Sequence, residues 1–350
     1  MDGDVVVGIY LERNGGALMQ ADASDENGQK RITPTSFQEF SWDPLQAPEA
    51  ASGIEQMAEV AARIGPRLKS VAIASYGPFT SHDRDREPAP FTILSPAAHM
   101  PLRAVRSHEL FSKTLLKLNK NIKTPIKMHS DAEACAIGES IIRSVDTNFI
   151  LAYLLVTEGI GLGIVQGRRP LSYASRSEIG MLHVRYQRSD PLRPPKEYSK
   201  YAKSLSNLSD NNSVRTRYAM CNNLGHVEDI DIMNSSDELW DMRAYYLAQA
   251  CFSCAVMLSP HKIVIGCDLD VRNRNNSDNV ASMTTNHFQN LMNSRYIDGY
   301  PAFYISEFSN SDYIDTPRSF SNELNATFRT TGSLGMCYAA AVQIIESVEG

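Results

Sequence analysis

The chain has 350 residues, 43% of them apolar, and 34 basic against 40 acidic residues give it a formal net charge of −6. Single hydrophobic cores stop growing at roughly 250–300 residues, so two lobes are expected. The acidic balance argues against a protein that grips a nucleic-acid backbone, which needs a concentrated basic face, and no run of about 18 apolar residues offers a membrane-spanning helix.

The N-terminus, Met1-Asp-Gly-Asp4, is acidic and lacks the basic start and apolar core of a signal peptide. Val5–Tyr10 reads as a strand, Arg13-Asn-Gly-Gly16 as a hairpin turn and residues 17–21 as the returning strand. A helical period covers residues 54–65, and Ser70–Ser75 form a buried strand ending in Tyr76-Gly77-Pro78. The proline-rich segment 82–101 reads as a surface loop. Glu109–Leu118 is helical, 126–129 a strand, Ala132–Arg143 a helix, Phe149–Val156 a strand, and 163–166 the returning arm of a second hairpin.

The basic stretch Arg185–Lys203 is broken by Asp190 and three prolines and reads as a solvated loop. Residues 188–236 are rich in Asn and Ser and weakly patterned. Helix returns at Asp237–Leu258, the strand Lys262–Gly266 follows, then another Asn-rich loop, and a small-residue helix near 334–348 closes the pattern. Hairpins near Gly15 and Gly161 open the two halves, which points to a duplicated α/β unit with a cleft between two lobes. The six cysteines, at 135, 221, 251, 254, 267 and 337, sit mostly in apolar runs. They suit reduced thiols in a cytoplasmic protein better than a disulfide framework. Cys251 and Cys254 have CxxC spacing, but within a helical pattern and without a second ligand pair they read as core.

Two segments carry chemistry. Ser130-Asp131-Ala-Glu133 brings a carboxylate to the point where a strand enters a helix, a good place for a base that takes a proton from a hydroxyl. The same residues form a capping box, in which Ser130 and Glu133 satisfy the helix start and Asp131 favours its positive end. The two roles are compatible. Further on, Thr157-Glu-Gly159-Ile-Gly161-Leu-Gly163 has glycine at alternate positions, which lets a backbone with N–H donors approach oxygen atoms closely. A ligand-free hairpin turn is the other reading of that segment.

Together these segments resemble the ROK family of bacterial sugar kinases (repressor, open reading frame, kinase), most closely its fructokinase-like branch. Asp131-Ala-Glu-Ala-Cys-Ala-Ile-Gly-Glu139 is similar to that branch's Asp-Val-Asn-x-Ala-Ala-Leu-Gly-Glu run. Ala74-Ser-Tyr-Gly-Pro78 is similar to its Ala-Ser-Phe-Gly-Pro strand end, and Ile93-Leu-Ser-Pro96 to the Thr-Thr-Pro turn that follows. Ala244–Ala250 with Leu258–Gly266 resembles the helix and strand before the adenosine-binding loop. Thr331–Ala340 resembles the closing glycine-bearing helix.

The resemblance implies an α/β, two-lobed actin-like ATPase (ribonuclease H-like) fold with its active site in the interlobe cleft. Residues 1–125, completed by the helix 334–348, would be one lobe, and residues 126–333, with an insertion at 188–236, the other. It implies ATP- and Mg²⁺-dependent phosphorylation of a hexose or hexose-like hydroxyl, with Asp131 as base and fructose first among the sugars by branch alone. Glu178, Ser130, Gly77 and His183 would meet the sugar. Thr157, Gly159, Gly161, Gly163, Asn14 and Gly15 would face the phosphates, and Gly266 and Gly332 would border the adenine. The protein would be a cytoplasmic homodimer with a small-molecule sugar as partner and neither nucleic acid nor membrane.

The functional motifs depart from the family pattern. In the first phosphate loop, Gly-x-Asp/Glu-x-Gly-Gly-Thr-Lys, Tyr10 stands at the acidic position when Gly8 is aligned, and Glu12 supplies a carboxylate only with a shifted hairpin. The second loop has Thr157-Glu158 where the family has Gly-Thr, which puts a carboxylate where the γ-phosphate is expected. Like charges at about 4 Å repel by on the order of 1–4 kcal/mol, so Glu158 must point away, bind a metal ion or weaken nucleotide binding. The adenosine loop reads Gly266-Cys-Asp268. The sugar motif Glu-x-Gly-His keeps Glu178 and Gly180 but has Met181 for His; on a strand His183 would share Met181's side. Beyond His183 only Cys221 and His226 precede residue 239, short of the roughly four ligands of a structural zinc, so none is expected. A catalytically weakened relative that binds a sugar or a partner is the competing reading. The family's repressor arm carries an N-terminal helix-turn-helix, whereas the first sheet strand here begins at residue 5.

Overall fold

The computed structural model describes residues 4–12, 14–26, 29–43, 45–76, 79–80, 92–93, 107–119, 125–142, 146–171, 178–192, 203–227, 232, 236–267, 280–295 and 304–307. The chain divides into two compact units, Met1–Val145 with Asn310–Gly350, and Asp146–Ser309.

In the first unit β1 (Asp4–Glu12), β2 (Gly15–Glu26) and β3 (Gln29–Ser41) form an antiparallel meander. Helix α1 (Ala47–Ala62) leads to β4 (Leu68–Ser75), which lies parallel to β1. The short pair β5 (Phe79–Thr80) and β6 (Thr92–Ile93) and helix α2 (Ser107–Leu118) follow. Then β7 (Ile126–Ser130) lies parallel to β4 and runs straight into α3 (Asp131–Ile142). The sheet order is β3-β2-β1-β4-β7. Val5, Val7, Ile9 and Leu11 of β1 pack with Ile54 and Met57 of α1 and Phe111 and Leu115 of α2, and apolar burial of this kind is what holds the sheet to its helices. A Cβ on Gly15 would lie 2.5 Å from the Phe40 carbonyl oxygen, and one on Gly16 2.6 Å from Cε of Met57. Close packing alone therefore requires this glycine pair.

The sequence pattern offers no element between residues 21 and 54, yet β3 fills much of that span. Its Pro34 and its polar residues hide it. Pro34 faces Ala21 and Ser36 faces Gln20, so Thr35 is an extra residue, and its hydroxyl donates to the Gln20 carbonyl at 3.2 Å.

The second unit repeats the plan. Strands β8 (Ile150–Val156), β9 (Ile160–Gln166) and β10 (Arg169–Pro170) form a meander. Helices α4 (Leu205–Ser209), α5 (Asn211–Asn222) and α6 (Asp237–Leu258) precede β11 (Lys262–Cys267), parallel to β8. Helix α7 (Val280–Arg295) then leads to β12 (Tyr304–Glu307), parallel to β11. The order β10-β9-β8-β11-β12 matches the first sheet strand for strand, in the same directions. This is the duplicated unit that the two hairpins imply.

Helix α6 buries Trp240, Tyr246, Leu247, Cys251 and Cys254, so it is covered on nearly every side. Burial pushes the Cys251 thiol well above its ordinary range and Cys254 up to about 12. Both are inert core residues, as the CxxC spacing within a helix implies. No described helix is long and apolar enough to cross a membrane.

Three sequence expectations change. The boundary expected after residue 125 gives way to one after Val145, because β7 hydrogen-bonds into the first sheet and carries α3 with it. Within 188–236, α4 and α5 replace part of the weakly patterned insertion, started by Ser204, which accepts the Asn207 N–H, and Asp210, which accepts the Ser213 N–H. Helix α7 occupies part of what reads as an Asn-rich loop. Gly77, Gly332, Asp268 and the helix 334–348 lie outside the described residues.

Candidate active site

Parallel strands bring their carboxyl ends side by side, and α/β sheets bind ligands at such ends. In the first sheet Leu11, Ser75 and Ser130 are level neighbours. The Asn14–Gly15 turn, the end of β4 and the Ser130–Asp131 junction therefore share one rim. Asn14 is exposed, and its carbonyl accepts the Trp42 N–H at 3.1 Å. Tyr10 is buried within β1, whereas Glu12 is half-buried at the strand's end.

The capping box is closed. Ser130 N–H donates to Glu133 Oε2 at 3.0 Å, and Glu133 N–H donates to Ser130 Oγ at 3.1 Å. Asp131 Oδ1 accepts the Ala132 N–H at 2.7 Å, and His129 Nδ1 lies 3.7 Å from Glu133 Oε2. Burial pushes the Asp131 carboxyl up to about 7; the Ala132 N–H opposes the rise and the charge of Glu133 adds to it. A carboxylate poised near neutrality has the proton affinity a general base needs. Lys127, two residues upstream of His129, is drawn below its ordinary value by burial.

In the second sheet Val156 is level with Cys267, so the turn after β8 and the end of β11 share a rim. The turn is tighter than the sequence implies. Gly161 and Gly163 lie within β9, opposite Leu155 and Tyr153, which leaves only Thr157, Glu158 and Gly159 between the strands. Thr157 N–H donates to the Gly159 carbonyl at 2.9 Å, and the Thr157 carbonyl accepts the Asn211 N–H of α5 at 2.9 Å. Glu158 Oε1 accepts from Arg215 Nη1 at 2.6 Å, so this carboxylate is turned onto α5. A Cβ on Gly159 would meet nothing within 4 Å, and its φ is not left-handed. Gly266 is buried in β11 beside Leu155.

Glu178 heads a 3₁₀ turn, Ile179–Met181; its carbonyl accepts the Met181 N–H at 2.9 Å and its side chain is exposed. Partial burial of the carboxyl still raises its pKa. A Cβ on Gly180 would collide with Ser206 Oγ and lie 2.9 Å from the Ile160 carbonyl, so glycine is what lets this turn pack against β9 and α4. Because Met181 belongs to that turn, the strand alternation invoked for His183 does not hold. His183 is exposed and bridges Ser204.

Asp190, which reads in sequence as a break in a solvated basic loop, is in fact fully buried. Arg217 donates to it through Nε at 2.8 Å and Nη2 at 2.7 Å, and Tyr246 Oη donates at 2.7 Å. Arg217 Nη2 also reaches the Leu208 carbonyl at 2.6 Å, and Arg243 ties Ser209 and Asn211 at 3.1 and 2.7 Å. This network anchors α4 and α5, and with them the residues that hold the turn. Cys221 and His226 are exposed near the end of α5, and among the described residues no group of three or more His, Cys, Asp or Glu gathers as a metal site. Sequence reasoning missed Asp190, Arg215, Arg217 and Tyr246; the readable signal was the pair of helix caps, Ser204 and Asp210.

The family model of the ROK family matches residues 46–304, and the chain belongs to that family. A Bacillus subtilis (strain 168) protein named "Putative fructokinase" is 25% identical over 257 residues, 73% of this chain and 75% of its own length. A fructokinase of Streptococcus mutans is 26% identical over 200 residues, 57% of this chain and 61% of its own. Among solved structures, a ROK family glucokinase from Streptomyces griseus in complex with glucose and AMPPNP has a TM-score of 0.57 at 14% identity, covering 97% of this chain and 98% of that one. The last likeness shows the fold, the α/β fold of actin-like ATPases.

Proposed function

We propose that this chain transfers the γ-phosphoryl group of ATP to a hydroxyl of a hexose or hexose-like sugar. Asp131 carries the reading. Its carboxylate, fixed at a strand-to-helix junction and poised near neutral pH, takes the hydroxyl proton as the sugar oxygen attacks the γ-phosphorus. The bond from phosphorus to the bridging oxygen breaks, and ADP leaves with the electron pair.

The supporting groups follow from the family resemblance. The unobstructed turn at Gly159 suits close approach of a backbone to phosphate oxygens. Glu178 accepts sugar hydroxyls through its two oxygens, with Ser130 as a further sugar neighbour. By the family resemblance Thr157, Asn14 and Gly15 are phosphate-side groups, Gly161 and Gly163 support the turn from within β9, and Gly266 is an adenine-side group. The Glu12 carboxylate is of the donor type that Mg²⁺ takes alongside nucleotide phosphates. When bound, the ion neutralises charge on the phosphates. A cytoplasmic homodimer follows from the family resemblance alone.

The test is coupled ADP release across a panel of hexoses, fructose first, with wild type beside Asp131→Asn. Turnover with at least one sugar is expected, falling by about 10²–10⁴-fold in the variant. Sugar binding by calorimetry without stimulated ADP release from any sugar would instead establish the second reading, a weakened relative that binds without turnover. Tyr10 in place of the family's first acidic residue favours that alternative.

A further inference from the structure

We propose that Arg215 is a phosphate-binding residue of the nucleotide site, masked by Glu158 until the polyphosphate of a nucleoside triphosphate displaces the carboxylate. The inference rests on the proposed kinase reading, in which the Thr157–Gly159 turn faces the nucleotide.

Position comes first. The Asn211 N–H bond to the Thr157 carbonyl fixes the first turn of α5 against the hairpin tip, which leaves Arg215 one side chain away from the turn. Its Nη1 reaches Glu158 Oε1 at 2.6 Å and Asn212 Oδ1 at 3.3 Å. A guanidinium matches phosphate oxygens at least as well as it matches a carboxylate, because its planar fork binds both in pairs of parallel bonds.

Charge comes second. Among the described residues, Asp210, Arg243, Glu158 and Arg215 are ionisable groups near the turn, and the first two serve helix α5. Asp210 is buried and accepts from Ser213 N–H and Oγ at 2.8 and 2.6 Å, as the cap of α5. Arg243 is buried and occupied by Ser209 and Asn211. The remaining pair lies at the surface, with the Glu158 side chain 56% exposed and that of Arg215 27% exposed. An ion pair in that setting is weak and exchangeable, since a displaced carboxylate recovers its hydration. The carboxylate in the phosphate turn is thus a competitor whose partner is the gain: nucleotide binding ejects Glu158 and inherits Arg215.

A merely structural staple and an exchangeable mask predict different signs. Calorimetry with ATP, and with adenosine as a phosphate-free control, is to be run on wild type, Arg215→Gln, Arg215→Lys and Glu158→Gln, each checked by thermal melting. The exchange predicts ATP binding about tenfold weaker in Arg215→Gln, partly recovered in Arg215→Lys, and roughly two- to fivefold tighter in Glu158→Gln, with adenosine unmoved. Weakening of ATP binding in both Glu158→Gln and Arg215→Gln overturns the exchange while leaving the kinase reading intact, as does an equal effect on adenosine. Absence of ATP binding by the wild type overturns both.

Discussion

The junction at Asp131 and the turn at Thr157–Gly159 are built on opposite principles. At the junction the described bonds are local, joining Ser130, Asp131, Ala132 and Glu133. At the turn the partners are distant, with Glu158 held by Arg215 across 57 residues of sequence and α5 itself held by Arg217 on Asp190. A carboxylate whose position is encoded locally keeps its geometry whatever happens elsewhere. The Thr157–Gly159 turn inherits its geometry from a remote scaffold and is correspondingly easier to remodel.

The sharpest way to break this contrast is Arg217→Met. It leaves the Asp190 carboxylate buried without its guanidinium, which costs about 3–5 kcal/mol, and denaturant unfolding should show the loss in the second unit while the first keeps its midpoint. A loss below about 1 kcal/mol would mean the scaffold is not what holds α5. Ser130→Ala tests the local side. It removes one capping acceptor but keeps the backbone N–H that Glu133 accepts, so a loss of about 1 kcal/mol is expected in the first unit, with activity falling less than in Asp131→Asn. A catalytic loss as large as that of Asp131→Asn would show that local capping does not suffice to place the base.

The smallest effect concerns pH. Because the Asp131 carboxyl is raised to about 7, activity that needs the ionised base should fall as pH drops through about 7. Glu133→Gln preserves the capping geometry, since glutamine serves at that position, but deletes a charge that raises Asp131. The acid limb of kcat/KM should then move to lower pH by a fraction of a unit. An unmoved or upward-shifted limb would remove Glu133 from the control of the base.

The same contrast explains what was legible. The β1–β2 and β8–β9 hairpins, the strand into Asp131, its capping box, helix α6 and strand β11 all announce themselves through short-range pattern and turn chemistry. Helices α4 and α5 do not, because Asn211-Asn-Ser213 and its neighbours lack an apolar period and reveal themselves only through their caps. The burial of Asp190 is invisible for a different reason. Its partners, Arg217 and Tyr246, lie 27 and 56 residues away, and a lone aspartate beside prolines looks like loop. The glycines show the limit of motif reading: Gly161 and Gly163 sit within a strand, Gly15 and Gly180 answer to packing, and Gly159 has no packing reason to be glycine.

Strand β3 borders the first sheet among the described residues, and a long bordering strand is a template on which a second chain can polymerise. Pro34 removes one donor from that template, and the extra residue at Thr35 breaks its register half-way along. A stranger strand finds two short, misaligned ladders instead of one continuous one. This edge is therefore a poor seed for strand-on-strand assembly.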